Sequence, residues 1–171
     1  MTLIVQDDTG QVSGANGYIT VAFFRSYHGD RGVDLSSAQD ADIETAIIRG
    51  TDYMDTRWRY KGIRAQIPQE TEWPRFNIID VDNNPVYGVV IHVQRACAEY
   101  GLIALNAALN PIPTRDATGQ RVIAKTTQVG PILNNVRYAP GAIFTEPTYP
   151  IADGLLKRRG YIISSTELTR G

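Results

Sequence analysis

Residues 89–109 read VVIHVQRACAEYGLIALNAAL, the most apolar run in the chain. Its few polar side chains, His92, Arg95, Glu99 and Asn106, collect on one narrow strip. That pattern predicts a long, mostly buried central helix. Asn110 and Pro111 stop it, and the loop to Gln120 holds two prolines, a glycine and few apolar groups.

A helix that apolar needs covering on several sides, and the flanking sequence supplies the covers. Upstream, Ser36 followed by Gln39 has the spacing of a capping box, and Asp40 and Asp42 lie near the positive end of a helix dipole. The helix predicted there runs to about Arg57. Ile43, Ala46, Ile47, Gly50 and Met54 recur at three- and four-residue steps and form its inner stripe, while Glu44, Arg49 and Asp52 fall outside it. Before it, Thr20 caps a helix running to about Tyr27, with Ile19 placed to staple Phe24 and Gly29 ending it. Thr2 to Gln6 reads as a short strand or extended arm, and Asp7 to Gly17 as turns.

Downstream, β-branched residues dominate from Arg121 to Tyr138, broken once at Gly130 and Pro131, which predicts a β-hairpin or bent ribbon. A two-stranded ribbon is marginal in water, so this one is expected to lie on other protein surface. Thr148 to Arg159 reads as a short last helix with Pro150 in its first turn, Leu155 and Leu156 inward and Lys157, Arg158 and Arg159 at its negative end. Tyr161, Ile162 and Ile163 then make an apolar triplet in an otherwise polar tail, and a partner's groove would explain it.

Composition narrows the function. The chain has 171 residues, 43% of them hydrophobic, enough for one compact core. Seventeen basic against 18 acidic side chains leave no global field to drive it onto nucleic acid or a membrane surface, so any DNA contact must be local. One cysteine, Cys97, allows no internal disulfide, and the absence of a signal peptide or a membrane-length apolar run points to a soluble protein of a reducing compartment.

Chemistry is sparse. The two histidines, His28 and His92, come without a nucleophile signature, and both read as structural. Cys97 is spaced like a small core residue. Asp80, Asp82 and Asn84 imitate the start of a calcium loop, but Pro85 and Ile91 stand where that loop needs glycine and glutamate, so a turn is the better reading. No enzyme, metal or cofactor is expected. One constellation has promise: Arg57, Trp58, Arg59, Tyr60, Lys61 and Arg64, with Trp73, Arg75 and Phe76 downstream. Cations among stacking rings suit single-stranded nucleic acid. The competing reading, which the ring-charge alternation favours, has Trp58, Tyr60, Trp73 and Phe76 closing the end of the core while the cations face water or pair with the acids of the second helix. It leads us to expect Arg57, Arg59 and Lys61 mostly paired or turned toward protein.

The order of landmarks resembles a family of small tailed-phage proteins labelled DnaT-like single-stranded-DNA-binding. It is carried by Gly14-Ala15-Asn16-Gly17-Tyr18, by Ile48-Arg49-Gly50-Thr51-Asp52-Tyr53-Met54-Asp55 running into Trp58-Arg59-Tyr60-Lys61-Gly62, and by Glu72-Trp73-Pro74-Arg75. The Ala-rich central helix with Glu99, the Val129-Gly130-Pro131 break and the Tyr149-Pro150 helix entry complete it. Such a resemblance implies an architecture like that of head-to-tail adaptors, which ring the exit of a phage head beneath the portal, and it carries no catalytic residues. The loop from Ile78 to Tyr87 and the tail after Gly160 depart from it.

The expectation is therefore a mainly α fold, a small bundle of about four helices with a protruding β-hairpin and extended N- and C-terminal arms. Residues 1–160, including the ribbon at 121–138, would form the domain, and 161–171 a docking arm. The leading functional reading is a structural connector subunit in the virion neck, present in the host cytoplasm before assembly. It would bind the portal protein, a tail-side connector or completion protein and about twelve copies of itself, with duplex DNA passing through the lumen without sequence-specific contact and with no membrane partner. Tyr161, Ile162, Ile163 and Leu168 would dock on the portal, and Val122, Ile123, Val129, Ile132, Val136 and Tyr138 would meet the ring or tail. The alternative is a single-stranded-DNA-binding protein acting through Arg57, Trp58, Arg59, Tyr60, Lys61 and Arg64.

Overall fold

The computed structural model describes residues 2–111, 122–128, 133–138 and 147–163, the two middle segments by their backbone alone. It is mainly α: four helices accompany short antiparallel strand pairs. In chain order these are α1 (Val21–Gly29), α2 (Asp40–Arg57), β1 (Ile63–Arg64), β2 (Arg75–Phe76), β3 (Ile78–Ile79), β4 (Pro85–Val86), α3 (Ile91–Asn106), β5 (Val122–Gln128), β6 (Leu133–Tyr138) and α4 (Pro150–Lys157). The chain divides into two compact units. One comprises Met1–Leu109 with Thr148–Gly171, and the other is Asn110–Pro147.

In the first unit α3 lies at the centre, as its composition dictates. Val93, Ala96, Cys97, Ala98, Tyr100, Gly101 and Ala104 are buried on it, and α1, α2 and α4 all pack against it. It is shorter than Val89 to Leu109, because Val90 and Ala107 are extended and cap it at either end. The α2 stripe is as expected, with Ile43, Ala46, Ile47, Gly50 and Met54 buried. At the point of closest approach Gly50 meets Gly101, where a Cβ on Gly50 would lie 2.8 Å from the Gly101 nitrogen. Two glycines facing each other let the two backbones touch.

Helix α1 has the predicted cap: Thr20 Oγ1 accepts from the Phe23 N–H at 3.1 Å. The capping box at Ser36 does not form. Asp34 Oδ1 instead accepts the Ser36 N–H in a tight turn, and Arg25 donates to the Leu35 and Ala38 carbonyls and pairs with Asp40. Those bonds hold 34–39 as a loop, so α2 begins at Asp40 with Gln39 as a cap that makes no side-chain bond.

Neither terminal arm extends away from the body over the described residues. Gln6 N–H donates to the Gly17 carbonyl, and Val5 bridges Gly17 in parallel. At the other end Ile162 bridges Tyr60 in antiparallel fashion, and Tyr161 is only 4% exposed, with its ring edge-on to Trp73 at 5.6 Å. The expectation of a docking arm beginning at 161 is corrected here: the groove that receives Tyr161 belongs to its own chain. Ile162 and Ile163 are half-buried beside it, and Leu168 lies outside the described residues.

The second unit contains the predicted hairpin, β5 paired with β6 from Val122↔Tyr138 to Gln128↔Leu133, with a bulge between Val122 and Ala124. Of the contact residues expected on it, Val122, Ile123, Val136 and Tyr138 lie on the strands, while Val129 and Ile132 fall outside the described residues. The pairs β1–β2 and β3–β4 escape sequence reading because two residues are too few to show a period of two.

Candidate functional site

Where α2 ends, the chain turns extended at Trp58 and runs through the basic, aromatic stretch to β1. Two supports hold it. The C-terminal residues pair with it, Lys61 N–H donating to the Tyr161 carbonyl at 2.9 Å and Ile163 N–H to the Arg59 carbonyl at 2.8 Å. Arg75, from β2, donates to the Lys61 carbonyl at 2.8 Å and the Gly62 carbonyl at 2.9 Å. Gly62 is required at this turn: its φ is +69°, and a Cβ there would lie 2.1 Å from the Phe76 carbonyl oxygen.

The result is a groove of about 620 Å³ whose cationic lining residues are Arg57, Arg59, Arg64 and Arg75, with Asp55 and Glu72 as its carboxylates. Sequence reasoning placed six residues in this region, and the structure assigns them to different tasks. Arg57 is structural. Its guanidinium pairs with Asp153 of α4 at 3.1 Å, the two side chains being 8% and 7% exposed, and donates to the Tyr53 hydroxyl. Trp58 Nε1–H donates to the Tyr100 hydroxyl at 3.0 Å, which in turn donates to Asp153 Oδ1 at 2.5 Å. Cations sit over the Trp58 ring, Arg57 at 4.8 Å and Lys157 at 4.6 Å. Tyr60 is buried against Trp73, and Lys61 is half-buried.

Arg59 and Arg64 remain exposed. Arg64 donates to the Gln69 carbonyl, and among the described residues neither guanidinium has a carboxylate partner. The expectation that Arg59 pairs or turns toward protein is therefore corrected, whereas for Arg57 it describes the arrangement, with the partner acid on α4 rather than α2. Phe76, expected to help close the core, is exposed as well.

Asp55, Glu72 and Asp153 were not singled out in the sequence. Asp153 falls three residues after the helix-starting Pro150, on the face that carries Leu156, and a charge on an apolar face was the available signal. Asp55 gave none, since its burial arises from contacts distant in sequence. The Tyr18 hydroxyl donates to its carboxylate, as does the Glu72 N–H at 3.0 Å. Burial outweighs those bonds and pushes its pKa up to about 7, with Glu72 and Asp52 adding like charge. Glu72 is tied to Arg75 at 2.6 Å. With Arg57 and Arg75 paired and Asp55 only partly ionised at neutral pH, the groove's unbalanced charge is that of Arg59 and Arg64.

Among the described residues the groove's lining includes neither a cysteine nor a histidine. Burial pushes the Cys97 thiol up to about 11, and Thr51 meets its sulfur at 3.3 Å inside the core. His28 is buried with Nε2 3.0 Å from the Ala98 carbonyl oxygen, and desolvation lowers its pKa. Asp80 Oδ1 accepts the N–H groups of Asp82 and Asn84, the turn that its sequence suggested. Among the described residues no cluster of His, Cys, Asp and Glu could hold a metal, and no helix is long and apolar enough to cross a membrane.

A family model described as "Putative DnaT-like ssDNA binding protein" matches residues 1–170. No curated protein and no solved structure matches the chain.

Proposed function

Because the chain belongs to the DnaT-like single-stranded-DNA-binding family, we propose that it is a non-enzymatic protein that binds single-stranded DNA along the groove beside β1, with phosphates on Arg59 and Arg64. The observation that carries this reading is the groove's surplus of charge. Two exposed guanidinium groups have no carboxylate partner among the described residues, on a protein whose overall charge is −1. A local cationic track suits an extended phosphate chain. Arg57, Trp58 and Tyr60 serve the site from behind by fixing the backbone that presents Arg59.

The test is the salt dependence of binding. Fluorescence anisotropy of labelled oligo-dT, measured from low to moderate salt, should give a linear fall of log K with log salt. Replacing both Arg59 and Arg64 with alanine should flatten that slope by roughly 1.4, since each phosphate contact on a single strand contributes about 0.7. Wild-type protein that fails to bind at low salt would remove the proposal.

A second reading is favoured by one observation. The hairpin belongs to a unit of its own, and among the described residues its sheet consists of β5 and β6. Two strands are marginal in water without further surface. A structural connector in a phage neck, ringed with about twelve copies of itself between the portal and a tail-side protein, would supply that surface. Sizing the chain alone and mixed with its portal distinguishes the readings, since a connector joins the portal without DNA.

A further inference from the structure

We infer that the cross-strand pair Ile63 and Phe76 is the surface on which this protein receives unpaired bases, the strand lying with its phosphates toward Arg59 and Arg64 and its bases against the β1–β2 ribbon. This rests on the single-stranded-DNA reading and adds to it the residues that touch the bases. Ile63 and Phe76 stand directly opposite each other in the antiparallel register, so their side chains share one face of the ribbon. Both reach the surface, Ile63 being 59% and Phe76 37% exposed. Ile63 lines the same groove as Arg59 and Arg64, which places one member of the pair beside the unbalanced charge.

Other rings of the neighbourhood are committed elsewhere. Tyr60 and Trp73 are buried, and Trp58 lies under Arg57 and Lys157. Phe76 is the ring at this edge with surface to offer. Its strand is also fixed in advance: Arg75 is bound to the Lys61 and Gly62 carbonyls and to Glu72, and Gly62 packs against the Phe76 backbone. A platform held this way loses little freedom when it is covered, which favours binding. An apolar patch at the border of a cationic groove matches an unpaired nucleotide, whose base has a flat face and whose phosphate is anionic, and stacking of that kind tolerates any sequence.

The experiment compares oligo-dT with an abasic strand of equal length, the same backbone without bases, by anisotropy at low salt. Phe76→Ala should weaken oligo-dT binding by about 5- to 150-fold, the range for loss of one stacked base, and leave the abasic strand unchanged. Arg59→Ala should weaken both. Phe76→Trp, which keeps a flat ring, should hold oligo-dT at least as well as wild type, and it decides the matter should the alanine variant fail to fold. Equal oligo-dT affinity in wild type and folded Phe76→Ala, with Arg59→Ala weakened, would overturn the base platform and leave the phosphate track standing. Loss of oligo-dT binding in a folded Phe76→Trp variant would also overturn it. Absence of wild-type binding to either strand would instead remove the underlying reading.

Discussion

Asp55 shows how a single side chain can be set by its surroundings. Its carboxyl, pushed up to about 7 by burial, holds a proton in the folded protein over a range where the unfolded chain, near 3.8, has released it. Folding therefore takes up a proton between about pH 4 and 7, and the stability that Asp55 contributes falls as pH rises through that window. Asp55→Asn cannot lose a proton. Denaturant unfolding of both proteins should show the difference moving in the variant's favour by on the order of 2–4 kcal/mol from pH 4 to pH 8. A difference that stays constant with pH would mean that Asp55 is ionised throughout. Arg57 makes the complementary case, because removing it strands Asp153 in the core. Arg57→Ala should cost about 3–5 kcal/mol of stability, seen as a lower denaturant midpoint, while the same change at exposed Arg59 should cost almost nothing.

Between elements, the contact of α2 with α3 depends on what is missing. Alanine at position 50 would gain about 1 kcal/mol in helix propensity over glycine, yet its Cβ would lie 2.8 Å and 3.1 Å from the Gly101 nitrogen and Cα. Backbone cannot rotate aside as a side chain can, so the helices must separate and the clash prevails. Gly50→Ala should lower stability by about 1–3 kcal/mol in chemical denaturation. Gly29→Ala, which would meet nothing within 4 Å, should be neutral or mildly favourable. The C-terminal pairing has the same character. Tyr161→Ala empties a buried site beside Trp73 and should cost about 3 kcal/mol. Removing everything after Gly160 should therefore destabilise the fold and loosen the Arg59 segment together, measurable as a lower melting midpoint and weaker oligo-dT binding.

The whole molecule is two units in one chain. The Tyr149 hydroxyl donates to the Leu109 carbonyl, so the helical unit's chain ends meet where Asn110–Pro147 leaves and returns. Replacing that segment with a brief Gly/Ser linker should leave the helical unit folded, its thermal midpoint shifted by only a few degrees, because closing a loop costs little once its ends are adjacent. Oligo-dT affinity should survive the same excision if the groove is the binding surface. Any role in joining other proteins that depends on the hairpin should be lost.

Periodicity carried most of the architecture. The α2 stripe from Ile43 to Met54, the central apolar helix, the Thr20 cap and the hairpin were all legible because each depends on residues within a few positions of one another. What surrounds the groove was not legible. Ring and cation alternate from Arg57 to Lys61, and the same alternation describes a DNA-contacting strip and a half-buried strand equally well. Partners distant in sequence separated the two: Asp153 claims Arg57, Trp73 packs on Tyr60 and Ile162 bridges it, and Arg59 and Phe76 are left outside. The tail failed for a related reason, since an apolar triplet specifies only that it must be covered. Local sequence fixes periodic elements through short-range geometry, whereas burial and charge pairing arise between segments that meet only after the chain has folded, and those meetings decided which residues form this surface.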